Sequence, residues 1–398
     1  MPDSATEEGE PLFFIIAGEP SGDRLGARLM RALSDQLEGH VRFCGVGGDA
    51  MVTEKLDSIF PMRDISLIGI TEVIPHLPTV MRRLRETVAA VINRRPIAVV
   101  TIDTPAFSYR VAKRLLGSNI PVIHYVAPQV WAWKPQRAKK LARVNDLLLT
   151  LLPFEPPIFE KAGLPSIAVG HSAIESGAGT GDGPAFRERH KIPPLAPLIA
   201  MLPGSRHSET SRLLPVFGEA LALLKVRYPG LHATVPTVSS VEGEVKKAVK
   251  GWPASTVVVT NRDEMWDALA ASEIAVVASG TATVEVARAG LPMVVTYRVN
   301  PITAWLLRRM LSVRNVALVN VILGREVVPE LLQENCNSKT LADTLISLLQ
   351  DPKARQTQKL GVKEALLQLG EEGKAPSYRA ARAILQFLEA RANLHQAK

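Results

Sequence analysis

Short apolar runs, each followed by a turn and then by residues with helical spacing, recur along the whole chain. Phe13–Ala17, Val41–Val46, Ile97–Ile102, Pro121–Val126, Asp146–Leu152 and Ser166–Gly170 read as strands in the first half. Leu198–Leu202, Ala233–Val238, Thr256–Thr260, Ile274–Ala278 and Pro292–Tyr297 read as strands in the second. Runs so uniformly apolar suit strands covered on both faces, as in parallel sheets. Leu25, Leu29 and Leu33 share one face of a helix that ends near Leu37, with Ser21 as its expected N-cap. Leu213, Leu214, Phe217, Leu221 and Leu224 share the face of a longer helix, Ser208 to about Arg227, and Ser377–Leu394 is a final amphipathic helix. Met265–Ala271 and most of the chain from Pro301 to about Leu369 also read as helical, with a loop at Leu318–Glu326.

Alternating strands and helices predict an α/β fold with two Rossmann-like halves. The glycine-rich stretch 176–184 and the proline-rich stretch 192–197 predict a flexible connection. The expected organisation is a domain over 1–173, a linker over 174–197, a second domain over 198–370 and a C-terminal helix over 371–398. That helix is expected to pack on the first domain or on a partner subunit. Two halves joined in this way leave a cleft, a preferred place for ligands.

Residues 64–86 break the rhythm. Leu67, Ile68, Ile70, Val73, Ile74, Leu77, Val80 and Met81 are apolar, and Arg82, Arg83 and Arg85 follow at once. Pro75 and Pro78 predict that this is not one smooth helix. The segment reads either as a core helix with a solvated basic end or as an exposed apolar patch with a basic rim, suited to an anionic membrane or to acyl chains.

Composition narrows the partners. Among 398 residues, 46% are hydrophobic and 22% charged, so the chain is globular, and the net charge of +8 favours anionic partners. Nucleic acid is excluded by the absence of a zinc finger, an RNP-like motif or a basic tail. Two isolated cysteines suit a reducing compartment and offer no zinc site. The acidic start is unlike a secretory signal.

Candidate chemistry lies at the turns after strands. Ser279-Gly280-Thr281, with Ala282 and Thr283 opening a helix, brings backbone N–H groups together and suits a phosphate. Glu285, about one turn in, could reach a hydroxyl beside it. Gly204 and Arg206 lie in a second such turn, and paired anion-holding turns fit a nucleotide-sugar diphosphate. Asp103 ends a strand and is a candidate general base or a turn residue. Trp131, Trp133, Lys134 and Arg137 crowd the loop after His124. The spacing of Gly18, Gly22 and Gly26 is not the dinucleotide fingerprint, which argues against a dehydrogenase.

Several segments in order resemble the lipid-A-disaccharide synthase family, inverting glycosyltransferases of the GT-B type. They are AGEPSGD (17–23), GVGG (45–48), LIGITEVIPHLP (67–78), IDTPAF (102–107), HYVAPQVWAWKPQR (124–137), LPFEP (152–156), VGHS (169–172), LPGSRHSE (202–209), ASGTATVEVARAG (278–290) and VNVILGREVVPELLQ (319–333). The resemblance implies two facing Rossmann-like domains, UDP-2,3-diacylglucosamine as donor, 2,3-diacylglucosamine 1-phosphate as acceptor, and a β-1,6-linked disaccharide 1-phosphate and UDP as products. It implies a peripheral protein on the cytoplasmic face of the inner membrane, docked through residues 64–86, and a homodimer. No cofactor is expected. No Asp-x-Asp occurs, so no metal site is expected either.

Residue by residue, the resemblance makes Asp103 the base, with Glu19 and Ser21 facing the active site. Arg206 and the turn Ser279, Gly280, Thr281, Ala282 and Thr283 match the diphosphate cradle, Glu285 the ribose contact and Asn320 a nucleotide-site residue. The family often has Asp and Asn where this chain has Ala106 and Ser108, which leaves Asp103 as the only carboxylate in its loop. His124 stays open as an alternative base. The competing readings are a UDP-sugar epimerase or another glycosyltransferase on the same plan, and a two-lobed binding protein.

Overall fold

The computed structural model describes residues 9–66, 70–131, 136–300, 304 and 315–396, with the backbone alone at 70–76 and 395–396. Among these residues the strands are β1 Leu12–Ala17, β2 Arg42–Val46, β3 Leu56–Ser58, β4 Ala98–Ile102, β5 Val122–Tyr125, β6 Leu147–Thr150, β7 Ser166–Ala168, β8 Leu198–Leu202, β9 His232–Pro236, β10 Ser255–Val259, β11 Ile274–Ala278, β12 Met293–Tyr297 and β13 Glu330–Leu332. The helices are α1 Pro20–Gln36, α2 Asp49–Thr53, α3 Ile70–Arg94, α4 Pro105–Arg114, α5 Gln136–Ala142, α6 Pro156–Glu160, α7 Gly183–Arg189, α8 His207–Arg227, α9 Glu242–Val249, α10 Arg262–Ala271, α11 Ala282–Arg288, α12 Leu318–Leu323, α13 Ser338–Gln350, α14 Pro352–Gln368 and α15 Pro376–Gln396.

The chain divides into two compact units, residues 1–172 with 373–398, and residues 173–372. The first holds a parallel sheet in the order β3-β2-β1-β4-β5-β6-β7, the second a parallel sheet in the order β10-β9-β8-β11-β12-β13. Strand β1 shows why these sequences form covered strands. Phe13 and Ile15 enter one apolar cluster with Leu29, Leu33 and Val100, while Phe14 and Ile16 enter another with Phe60, Phe107 and Val111. Both faces are buried, which the period of two requires of a continuous apolar run.

The C-terminal helix returns to the first unit. Ala380 and Ile384 join the cluster of Phe13 and Leu29, Gln36 Nε2 donates to the Tyr378 carbonyl at 3.0 Å, and Arg391 pairs with Asp146 at 3.1 Å.

The stretch expected as a linker, 174–197, is instead part of the second unit. Helix α7 packs on α10, and Phe186 is fully buried. Its glycines serve close approach, not flexibility. A side chain at Gly177 would come within 2.6 Å of Trp266 Nε1, and one at Gly181 would run into the Trp266 carbonyl.

Helix α3 runs through Pro75 and Pro78, against the expectation of a break. Its later turns are fixed by burial, with Leu84 and Val91 in the cluster of Phe60 and Phe107, and Val80 and Met81 packed against it. Arg83 is half-buried and paired. Its guanidinium meets Asp64 at 2.6 Å and Glu86 at 2.8 Å and lies 4.6 Å from the Phe60 ring centre. Leu77, Arg82 and Arg85 are exposed. Leu67, Ile68, the side chains of Ile70, Val73 and Ile74, and most of 301–314 lie outside the described residues, as do Trp133 and Lys134.

Candidate active site

In an open parallel sheet, ligands bind beyond the C-terminal ends of strands at the point where the strand order reverses. In the first sheet that point lies between β1 and β4, and in the second between β8 and β11. The sequence-derived candidates fall on these four strand ends. Glu19 and Ser21 follow β1, Asp103 follows β4, Arg206 follows β8, and Ser279–Thr283 follow β11.

In the first unit the loops after β1 and β4 touch. A side chain at Gly18 would come within 2.6 Å of Thr104 Oγ1, so only glycine lets these loops meet. Glu19 caps α1 with extended backbone, and Pro20 takes the first helical position. Ser21 is therefore not the cap; it sits exposed in the first turn. Asp103 and Thr104 both hold left-handed backbone, with φ of 49° and 47°, and Val126 at the end of neighbouring β5 has φ of 81°. Such conformations cost non-glycine residues about 1–3 kcal/mol each and gather where function over-determines the backbone. The strain is held in place by the Asp103 N–H donating to the Tyr125 carbonyl at 3.0 Å and the buried Ser108 hydroxyl donating to the Asp103 carbonyl at 2.8 Å. Burial raises the Asp103 carboxyl above its ordinary range, partly offset by the Thr104 N–H. Ala106 is exposed on α4.

His124 is 3% exposed, with Nδ1 2.7 Å from Thr101 Oγ1, and burial lowers it to about 4. It is the penultimate residue of β5, and its buried ring is held against Thr101 on neighbouring β4.

In the second unit Gly204 has φ of +103°, and a side chain there would collide with the Glu209 carboxylate. Glu209 accepts from Ser205 N–H at 3.0 Å and pairs with Arg206 at 3.2 Å. Tyr297, ending β12, belongs to the same group. Its phenol is raised by burial and by Glu209, and lowered by Arg206. Ser279 donates to the Val316 carbonyl at 3.1 Å, and both the N–H and the hydroxyl of Thr283 are taken up by the Gly280 carbonyl. Thr283 is thus a buried staple of the turn, which leaves Gly280, Thr281 and Ala282 as its outward part. Glu285 accepts from Arg262 at 2.8 Å.

A family model described as lipid-A-disaccharide synthetase matches residues 13–384. The chain belongs to this family. It is 50% identical over 382 residues to the lipid-A-disaccharide synthase of Rhodospirillum centenum, covering 96% of this chain and 95% of that protein. It is 49% identical over 381 residues to the lipid-A-disaccharide synthase of Paramagnetospirillum magneticum, covering 95% and 97%. In fold it is similar to a putative UDP-N-acetylglucosamine 2-epimerase from Listeria monocytogenes, with a TM-score of 0.65, 12% identity and 96% of each chain covered. Acinetobacter baumannii MurG gives a TM-score of 0.55 at 15% identity, covering 95% of this chain and 99% of that one. As a lipid-A-disaccharide synthase family member, the chain is a glycosyltransferase with the GT-B fold.

One family-matched residue has a structural job that the resemblance does not imply. Asn320 is fully buried and its amide is saturated. Its Nδ2 donates to Glu330 at 2.7 Å and to the Val328 carbonyl at 2.8 Å, and its Oδ1 accepts from Val327 and Val328 N–H at 2.7 and 3.0 Å. Glu330 also accepts from Val316 and Ala317 N–H at 2.9 and 3.0 Å. The Asn320 side chain therefore shapes the loop that touches Ser279.

Other residues went unread because their partners are distant in sequence. Asp23 is buried and accepts from Gly48, Ala50 and Met51 N–H at 2.8, 3.0 and 3.1 Å, which ties the AGEPSGD and GVGG motifs together. Glu155 accepts from Trp131 Nε1 at 3.2 Å and Leu152 N–H at 3.0 Å, while the Trp131 and Phe154 rings meet edge-on at 5.4 Å.

Proposed function

We propose that the chain joins UDP-2,3-diacylglucosamine to 2,3-diacylglucosamine 1-phosphate, giving the β-1,6-linked lipid A disaccharide 1-phosphate and UDP. The family match carries the reaction, and the placement of Asp103 carries the mechanism: a strained, partly buried carboxylate at a strand-order reversal, alone in its loop. Asp103 takes the proton of the acceptor 6-hydroxyl. The freed oxygen attacks the anomeric carbon from the face opposite UDP, and the bond to the diphosphate oxygen breaks with its electrons leaving on UDP. Arg206 and the backbone at Gly280–Ala282 stabilise that charge, and Glu285 takes the ribose. Glu19 and Ser21 line the acceptor side. The donor sugar is a substrate, and the scheme uses no cofactor.

Both substrates are acylated, which supports work at a membrane surface. No helix among the described residues is long and apolar enough to cross a membrane. Docking through the outward part of residues 64–86, with Leu77 and the basic side chains of Arg82 and Arg85, fits the inner face of the inner membrane at about 1 kcal/mol per basic residue. The test is sedimentation with anionic vesicles. Replacing Ile70, Ile74 and Leu77 by Ser should release the protein; unchanged pelleting would contradict the surface. For the reaction, the disaccharide should form only with both substrates present, and its new linkage should be β by NMR. An α linkage, or donor consumption without acceptor, would contradict it.

A further inference from the structure

Arg262 lies between the quoted motifs LPGSRHSE (202–209) and ASGTATVEVARAG (278–290), in none of them. It opens α10, whose start is fixed by Asn261, with Oδ1 accepting from Asp263 and Glu264 N–H at 2.8 and 3.2 Å. From there its guanidinium donates to Glu285 Oε1 at 2.8 Å. Its Cζ lies 5.4 Å from the centre of the Trp266 ring, so the side chain runs between an aromatic platform and a carboxylate. The platform is rigid. Trp266 is buried, and its indole lies so close to Gly177 that an added side chain there would come within 2.6 Å of Nε1. The Glu285 side chain is 15% exposed and the Arg262 side chain 46%, so the carboxylate is the inner partner and the cation shields it from the outside.

A carboxylate this buried needs a partner to offset its desolvation, and its direction matters when it accepts from a single hydroxyl. We propose that Arg262 is a positioning residue for ribose recognition: by holding Glu285 from the α10 side, it aims the carboxylate so that a nucleoside diphosphate is read through its ribose 2′-hydroxyl. This rests on the assignment of Glu285 to the ribose. Arg262 acts through Glu285, and its contribution disappears when Glu285 is gone.

The test compares binding of UDP and 2′-deoxy-UDP by calorimetry in the full-length protein. The wild type should prefer UDP by about tenfold, the scale of one hydrogen bond to a charged group. Arg262→Ala should weaken UDP by about tenfold, leave 2′-deoxy-UDP nearly unchanged and so erase the preference. Arg262→Lys, which keeps the charge without the planar fork, should restore part of it. In the Glu285→Ala background, Arg262→Ala should change nothing more. A loss of stability alone would weaken both ligands alike and leave the preference intact. An Arg262→Ala protein that keeps the wild-type preference overturns the role of Arg262. A Glu285→Ala protein that keeps it overturns the ribose reading itself.

Discussion

The buried hydroxyl of Ser108 donates to the main-chain oxygen of Asp103 at 2.8 Å, from the first turn of α4 back to the residue that follows β4. Ser108 stands where the family often has Asn, and the bond shows what that position does here: it holds a left-handed Asp103 in place.

Ser108→Ala should therefore act on catalysis more than on nucleotide binding. Loss of the bond should cost about 1–3 kcal/mol of stability, and release of the turn should lower kcat about tenfold. UDP affinity should not change. Thermal unfolding, turnover and calorimetry on one preparation check all three, and an unchanged kcat would remove the link between the turn and the base.

The pH profile separates Asp103 from His124. Burial raises the Asp103 carboxyl above 3.8, and His124 is neutral above about 4. The acidic limb of kcat/KM should rise as Asp103 loses its proton, at a pH above the ordinary Asp range. His124→Asn should leave the position of that limb unchanged. A limb that shifts or vanishes in the His124 variant would move the base to the histidine.

Asn320→Ala should be a folding mutation. It strips partners from Glu330, from the Val328 carbonyl and from the part-buried Val327 and buried Val328 N–H groups. Each stranded group costs about 1–3 kcal/mol, so a loss of about 3 kcal/mol or more is expected by denaturant unfolding. A variant as stable as the wild type but deficient in UDP binding would return Asn320 to the nucleotide.

Glu155 should make stability pH-dependent. Burial raises it from 4.5 to about 7, against the N–H groups of Leu152 and Trp131. The folded chain then keeps a proton that the unfolded chain loses, so stability falls as pH rises from about 4.5 to about 7 and levels off above. Buried His124 and His171, each lowered from 6.5 to about 4, give the opposite slope between those values. Glu155→Gln removes the first slope and keeps the second. Variant stability minus wild-type stability should thus climb by up to about 3 kcal/mol from pH 4.5 to 7. A flat difference would show that Glu155 is ionised throughout.

The strands were legible because they are buried on both faces, so apolar runs such as Ile274–Ala278 and Leu198–Leu202 mark them directly. Strands β3 and β13 were not, being three residues each and broken by Asp57 or opened by Glu330, so neither offers a continuous apolar run. Helix α12 lies within an expected loop, and α3 ignores two prolines because packing of Leu84 and Val91 outweighs local preference. Glycine misled at 174–197, since flexibility and close approach leave the same mark in a sequence. The site candidates were legible as turns after strands, which is where the strand-order reversals fall. What decides their state was not. The partners of Asp103, Arg206, Glu285 and Asn320 include Tyr125, Tyr297, Arg262 and Glu330, most of them brought near only by the fold.

The most direct test of the division of labour between the two units is UDP release by wild type and Asp103→Ala at saturating donor, with and without acceptor, beside UDP binding to both. Wild type should release UDP only when acceptor is present, and Asp103→Ala should release none while binding UDP with unchanged affinity. Acceptor-dependent release by Asp103→Ala at the wild-type rate would contradict the assignment of the base to the first unit.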